Sequence, residues 1–207
     1  MKYILGILLT LTAIDIVSQT MAVTEYGKEV ILNHDGSWNY LEDFSDSNIE
    51  TNFTSYNKNS KSSFLVRSQI ASVGFWINTI DWKFNKDEDY NSDSEYAFEY
   101  KHGDLYALAI VEEVEIPLDR LAKIALDNAK DVMSELQVIS QEYRYVNGIK
   151  VLFLQFMGSI EGMKITYLGY YYSDESGAVQ LITFTGSSLF DKYQSAMEEF
   201  LNGLTSL

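Results

Sequence analysis

The fold is decided between residues 149 and 185, which read IKVLFLQFMGSI-EG-MKITYLGYYY-SDESG-AVQLITFT. Three β-favouring runs, 149–157, 163–172 and 178–185, are separated by Glu161-Gly162 and by Asp174-Glu175-Ser176-Gly177. Short turns of this chemistry between apolar runs predict consecutive antiparallel hairpins. In the first two runs large apolar residues occupy both alternations. Successive side chains on a strand point to opposite faces, so both faces of the sheet are expected to be covered, giving three layers. Within Tyr170-Tyr171-Tyr172 the middle ring must face away from its neighbours. The three hydroxyls therefore cannot share one core layer, and some must find a polar partner or water.

Upstream, residues 137–145 form a further β run that reaches the first hairpin through Val146-Asn147-Gly148. Before it, Pro117 opens a helix, where its fixed φ suits the first turn. Leu118, Leu121, Ala122, Ala125, Ala129, Val132, Met133 and Leu136 mark the apolar face of that helix at the 3.6-residue period. A second helix follows the hairpins. Ser188 and Asp191 have capping-box spacing, its buried stripe is Leu189, Tyr193, Met197, Phe200, Leu201 and Leu204, and Gly203 stands where a helix commonly ends.

Further upstream, Phe64, Val66, Ser68 and Ile70 alternate as in a strand. A short segment follows, from Val73-Gly74-Phe75-Trp76 to Trp82-Lys83-Phe84. Tyr96, Phe98 and Tyr100 then alternate in a strand with one buried face, and the apolar run 105–111 reads as a central strand covered on both faces. Strands, helix, hairpin-linked strands and helix, in this order, describe an α+β domain over 63–207, with a twisted antiparallel sheet covered by helices.

The first 22 residues read differently. Lys2, an apolar run over 4–14 and the small-residue site Thr20-Met21-Ala22 predict a secretory signal peptide with a mature start near Val23. Asp15 ends the run well short of the roughly 20 apolar residues a membrane span needs, so no stable membrane anchor is expected after cleavage. Residues 23–41 predict a small β-hairpin: Glu29-Val30-Ile31-Leu32, the turn Asn33-His34-Asp35-Gly36, then Ser37-Trp38-Asn39-Tyr40-Leu41. Residues 42–62, rich in Asp, Ser, Asn, Thr and Lys, read as a polar linker. Asn52-Phe53-Thr54 matches the glycan acceptor pattern, which matters only in a eukaryotic secretory route.

Composition bounds the function. Of 207 residues, 46% are hydrophobic and 14% aromatic, enough for a core. Cysteine is absent, which removes disulfides and thiolate metal sites. The formal charge is −15; phosphate-covered partners would be repelled, which argues against nucleic acid.

At this point a resemblance is in view. Gly74-Phe75-Trp76 with Trp82-Lys83, Tyr145-Val146-Asn147-Gly148, Gly169-Tyr170-Tyr171-Tyr172, Gly177-Ala178-Val179-Gln180 with Thr183, and Phe200-Leu201-Asn202-Gly203-Leu204 resemble the PsbP-like α/β/α sandwich. That fold is shared by the extrinsic photosystem II protein, the Mog-type Ran-binding factor and many exported bacterial proteins. The hairpin with Asp35-Gly36-Ser37-Trp38 is similar to one at the start of small exported bacterial proteins. The resemblance implies a fold and an exported, periplasmic or extracellular bacterial setting. It transfers no catalytic residue.

Several groups of residues are candidates for chemistry. His34 and His102 lie in turns, without a Gly-x-Ser-x-Gly elbow and without cysteines to complete a zinc site. Asp87-Glu88-Asp89-Tyr90-Asn91-Ser92-Asp93 repeats oxygen ligands like half an EF-hand loop, but Ser92 replaces the turn glycine and Phe98 the closing glutamate. Glu112, Glu113 and Glu115 precede the first helix and suit its dipole. Trp76, Trp82 and Tyr170-Tyr171-Tyr172 read as core or as the wall of a groove. No catalytic, cofactor-binding or metal-ligating residue is assigned. The expectation is a non-enzymatic accessory protein that binds another protein through its sheet or hairpin. The alternatives are a small-ligand or calcium-binding domain and a carboxylate-based hydrolase.

Overall fold

The structure, a computed structural model, describes residues 20–23, 29–32, 38–40, 49–85 and 94–207. The chain divides into two units, 1–45 and 46–207. In the first, β1 (Thr20–Val23), β2 (Glu29–Leu32) and β3 (Trp38–Tyr40) form an antiparallel sheet with β2 in the middle. Leu32 stands opposite Trp38 and Val30 opposite Tyr40. The segment expected as a two-stranded hairpin thus has a third strand, and β1 contains the Ala22–Val23 bond predicted for cleavage. Residues 1–19 and His34 lie outside the described residues.

The second unit is built on eight strands. In spatial order they are β4 (Thr51–Tyr56), β10 (Ser134–Val146), β11 (Ile149–Ile160), β12 (Met163–Asp174), β13 (Gly177–Gly186), β9 (Leu105–Glu112), β8 (Tyr96–Tyr100) and β7 (Trp82–Asn85). The β10–β13 meander is the expected run of hairpins. Asn147 takes a left-handed φ of 47° ahead of Gly148, and Glu161 a φ of 49° ahead of Gly162, so both turns have the backbone that tight hairpins need. A smaller antiparallel sheet, β14-β6-β5, comprises β5 (Phe64–Arg67), β6 (Val73–Ile77) and β14 (Leu204–Ser206).

The alternation read in the sequence becomes two separate cores. Val151, Phe153, Tyr170, Tyr172, Val179 and Leu181 join Phe75, Ile77, Trp82, Met197, Phe200 and Leu204 on one face. Leu152, Leu154, Phe156, Tyr171 and Ala178 join Leu121, Ala125 and Leu126 on the other. Helix α1 (Leu118–Val132) covers the second face, while α2 (Phe190–Leu201) and the small sheet cover the first. Ala122, Ala125 and Ala129 on α1 are all buried; their small side chains let the helix lie close to the sheet. Each fully buried Leu of these layers stabilises the fold by about 1.5–3 kcal/mol.

Six expectations need correction. The sheet is mixed, because β4 runs parallel to β10, with Thr51 opposite Tyr143 and Tyr56 opposite Val146. Residues 51–56 are thus strand within the stretch expected as a linker over 42–62. The first helix stops before Leu136: Met133 is already extended (φ −117°, ψ 133°), and Ser134 pairs with Ser159 in β11. Ser188 and Asp191 make no capping box; Ser187–Leu189 is a 3-10 turn, and α2 begins at Phe190 without a side-chain cap. Leu204, expected on the helix stripe, is buried but lies in β14 opposite Phe75. Strand β9 is buried on one face only, its other face being half-buried.

Gly203 makes the step from α2 to β14 possible. A Cβ there would lie 2.2 Å from Trp76 O and 3.0 Å from Phe200 O, so only glycine lets the backbones approach. Trp76 N donates to Gly203 O at 2.8 Å across this contact.

Candidate functional site

The turn between β6 and β7 starts from Asn78. Its side-chain oxygen accepts from Ile80 N at 3.1 Å, while its carbonyl accepts from Trp82 N at 2.9 Å. This local pattern closes the turn. It leaves Ile80 75% exposed and points Asp81 back along the turn. Asn78 Nδ2 donates to Asp81 Oδ2 at 2.5 Å, and His102 Nε2 lies 3.0 Å from Asp81 Oδ1.

Beside this turn the chain forms a cleft of about 50 Å³. Trp76, Trp82 and Tyr100 supply its aromatic wall, Asp81 and Glu199 its carboxylates, and Phe200 its apolar side. Trp82 is held by Phe200 at 4.3 Å and by Tyr100 at 5.2 Å between ring centroids. Trp76 already carries a cation, with Lys58 Nζ 4.8 Å from its ring centroid. Burial first, then the charges of Asp81, Tyr193 and Glu199, raise the Tyr100 pKa above its ordinary value, against a lowering by Lys192. Negative charge is thus felt at the aromatic wall.

A second polar constellation lies on the same sheet face. Arg144 Cζ stands 3.6 Å from the Phe153 ring centroid and 4.8 Å from that of Tyr56, and its Nε donates to Glu142 Oε1 at 2.5 Å. Burial opposes the guanidinium charge, but the hydrogen bonds to Tyr170 and Glu142 outweigh it, and the Arg144 pKa is raised. Tyr170 donates to Asn202 Oδ1 at 2.8 Å and accepts from Arg144 Nη1 at 3.4 Å. Burial pushes the Tyr170 pKa up to about 12, against the lowering influence of Arg144. Each polar group here is answered within the protein. The arrangement ties β10 and β12 to the end of α2 and presents no group to a substrate.

The structure distributes the candidates unevenly. Trp76 and Trp82 meet in the cleft. Tyr170 and Tyr172 belong to one core and Tyr171 to the other, so the three do not line a groove together. Glu112, Glu113 and Glu115 are exposed. His102 pairs with Asp81 at 54% exposure. Residues 87–93 lie outside the described residues, and among the described residues no group of three His, Asp or Glu side chains could hold a metal ion. Asn52 is already engaged, its Nδ2 donating to Tyr56 Oη at 3.0 Å and to Glu142 Oε1 at 3.2 Å. Asp81, Tyr100 and Glu199 were not singled out by sequence. The one local signal was Asn78-Thr79-Ile80-Asp81-Trp82, an Asx turn that ends on a tryptophan.

No helix among the described residues is long and apolar enough to cross a membrane. No protein-family model matches the chain, and no curated protein sequence does. Solved structures do. The cyanobacterial PsbP protein (CyanoP) of Synechocystis sp. PCC 6803 superposes with a TM-score of 0.54 at 11% identity, over 70% of this chain and 92% of its own. LpqN of Mycobacterium tuberculosis, described as involved in cell envelope biogenesis, superposes with a TM-score of 0.50 at 13% identity, over 69% of this chain and 88% of its own. At such identities the likeness concerns the fold: the chain has the α+β architecture of the PsbP-like proteins, with its large mixed sheet between helices.

Proposed function

We propose that the chain is an exported, non-enzymatic accessory protein that binds another protein through the cleft beside the β6–β7 turn. The observation that carries this reading is the size and setting of that cleft. Pockets for small-molecule ligands commonly enclose about 300–1,000 Å³. This one encloses about 50 Å³ and has Ile80, 75% exposed, on the turn beside it. Such a recess suits a single side chain projecting from a protein surface, and aromatic walls of this kind are enriched at protein interfaces. The signal pattern over residues 1–22 supports export, as does the envelope role that the description of LpqN gives for that protein.

The test is site-specific photocrosslinking in the native host compartment. A photoreactive residue at Ile80 is expected to trap a discrete partner. The same residue at Met163, in the β11–β12 hairpin away from the cleft, is expected to trap none. Equal trapping at both positions, or none at Ile80, would defeat the reading.

A further inference from the structure

The cleft has a chemical preference that its size alone does not state. Two tryptophans and a tyrosine line it together with two carboxylates, Asp81 and Glu199. Aromatic faces attract cations through the ring quadrupole, and carboxylates beside them reinforce the attraction. The Trp76 ring demonstrates this within the molecule, since the Lys58 ammonium stands over it.

The lysines near the cleft bond elsewhere: Lys192 Nζ donates to Tyr193 Oη at 2.8 Å. Lys58 Nζ donates to Ser62 O at 3.1 Å, and Lys101 Nζ to Thr79 O at 2.6 Å; both ammonium groups are directed at backbone carbonyls. His102 Nε2 lies 3.0 Å from Asp81 Oδ1. Glu199 accepts from the neutral amide of Asn59, Nδ2 to Oε2, at 3.0 Å. The cleft therefore keeps acceptor capacity and negative charge beside an aromatic wall. Its volume admits a few water-sized groups, which fits an ammonium or guanidinium head with its last methylenes. The net charge of −15 favours approach of a basic surface.

We propose that this cleft receives the charged end of a lysine or arginine side chain projecting from a basic protein partner. The inference rests on the reading of the cleft as a protein contact and specifies what that contact recognises. The aromatic wall desolvates the methylenes next to the charge, and Glu199 and Asp81 face the head group.

The test uses the full chain and three pentapeptides, acetyl-Gly-Gly-Lys-Gly-Gly-amide and its arginine and norleucine counterparts. Norleucine keeps the lysine stem and removes the charge. The readout is the indole N–H signals of Trp76 and Trp82. The lysine and arginine peptides are expected to shift Trp76 and Trp82 saturably, at least about fivefold more tightly than norleucine. Glu199→Gln, an exposed change that leaves the core intact, is expected to weaken this binding about threefold or more, and Lys58→Met to strengthen it. Norleucine binding within about twofold of lysine, or no saturable shift with any peptide, would overturn the proposal. Crosslinking at Ile80 separates the two readings. If Ile80 traps its partner equally well in wild type and in Glu199→Gln, the protein contact stands and the cation preference falls. If Ile80 traps nothing, the protein contact itself falls.

Discussion

Tyr170 and Tyr171 are adjacent in β12, yet their hydroxyls have opposite surroundings. Tyr170 donates to Asn202 Oδ1 at 2.8 Å, whereas the Tyr171 oxygen is buried with no hydrogen-bond partner. The pleat forces the difference. One ring points toward α2, where polar groups gather, and the other toward α1, among Leu121, Leu152 and Leu154.

Removing the two hydroxyls should therefore shift stability in opposite directions. A buried unsatisfied hydroxyl costs about 1–3 kcal/mol, so Tyr171→Phe is expected to stabilise by about 1 kcal/mol. Tyr170→Phe abandons Asn202 and Arg144 and is expected to destabilise by about 1–2 kcal/mol. Urea unfolding of both variants measures this; a common sign for the two would contradict the assignment of partners.

Stability should also fall in alkali. Burial raises Tyr170 and Tyr172 to about 12, and it raises Tyr167 and Tyr171 as well. The folded chain then holds phenolic protons that the unfolded chain releases. This stabilising contribution is complete below the unfolded tyrosine value of about 10 and is lost as pH rises from there through the folded values. Thermal melting between pH 8 and 11 is expected to show the drop beginning near pH 10, and a shallower drop in a Tyr170→Phe, Tyr171→Phe double variant.

Asn147 should prove costly to replace. Its Nδ2 donates to Asn202 O at 2.8 Å and to Leu204 O at 2.7 Å, and its Oδ1 accepts from Lys58 N at 3.0 Å. One side chain thus joins a hairpin turn, the end of α2 and the chain after β4. Asn147→Ala loses these bonds and places an alanine at a φ of 47°; a loss of about 2–3 kcal/mol is expected. Asn147→Gly relieves the backbone strain only. It is expected to recover about 1 kcal/mol of that loss, as denaturant midpoints would show.

Helix α2 is a layer of the fold, and Phe200 measures it. The ring is 3% exposed and packs on Trp82 and Phe98. Phe200→Ala is expected to cost about 3–5 kcal/mol. At the exposed Ser195, Ser195→Ala should stay within about 0.5 kcal/mol. Equal losses at both positions in chemical denaturation would contradict the packing.

Export is expected to remove the first residues. Intact mass of protein from the exported fraction should correspond to a start near Val23, and retention of Met1 there would defeat the signal reading. Cleavage at that bond would leave Val23 as all that remains of β1.

The meander and its two faces were legible because their causes are local. Asn147-Gly148 and Glu161-Gly162 encode hairpin turns, and a run such as Val151-Leu152-Phe153-Leu154 can be buried on both sides only inside a sandwich. Strand β4 was not legible. Thr51, Asn52, Thr54 and Ser55 are polar, and what makes them a strand lies far along the chain: the parallel pairing to β10 and the Asn52 bonds to Glu142. The end of α1 was missed for a similar reason. Leu136 continues the helical period, but pairing of β10 with β11 takes over at Ser134. In the cleft, Trp76 and Trp82 stood out as aromatics, whereas Asp81, Tyr100 and Glu199 became partners only through the packing of α2 against β7 and β8.

The pairing of Leu204 with Phe75 bears on how the domain assembles in time. The hairpins of the meander close short loops and can form as soon as their own residues are available. The small sheet must instead close a loop across nearly the whole domain, a slow step with a larger entropic penalty. Until β14 arrives, β6 is paired with β5 alone and α2 has no fixed exit, so the core around Phe75, Trp82 and Phe200 stays open. A chain delivered N-terminus first therefore completes its fold only after its C-terminal segment has emerged, and it remains loosely folded for as long as it is being threaded.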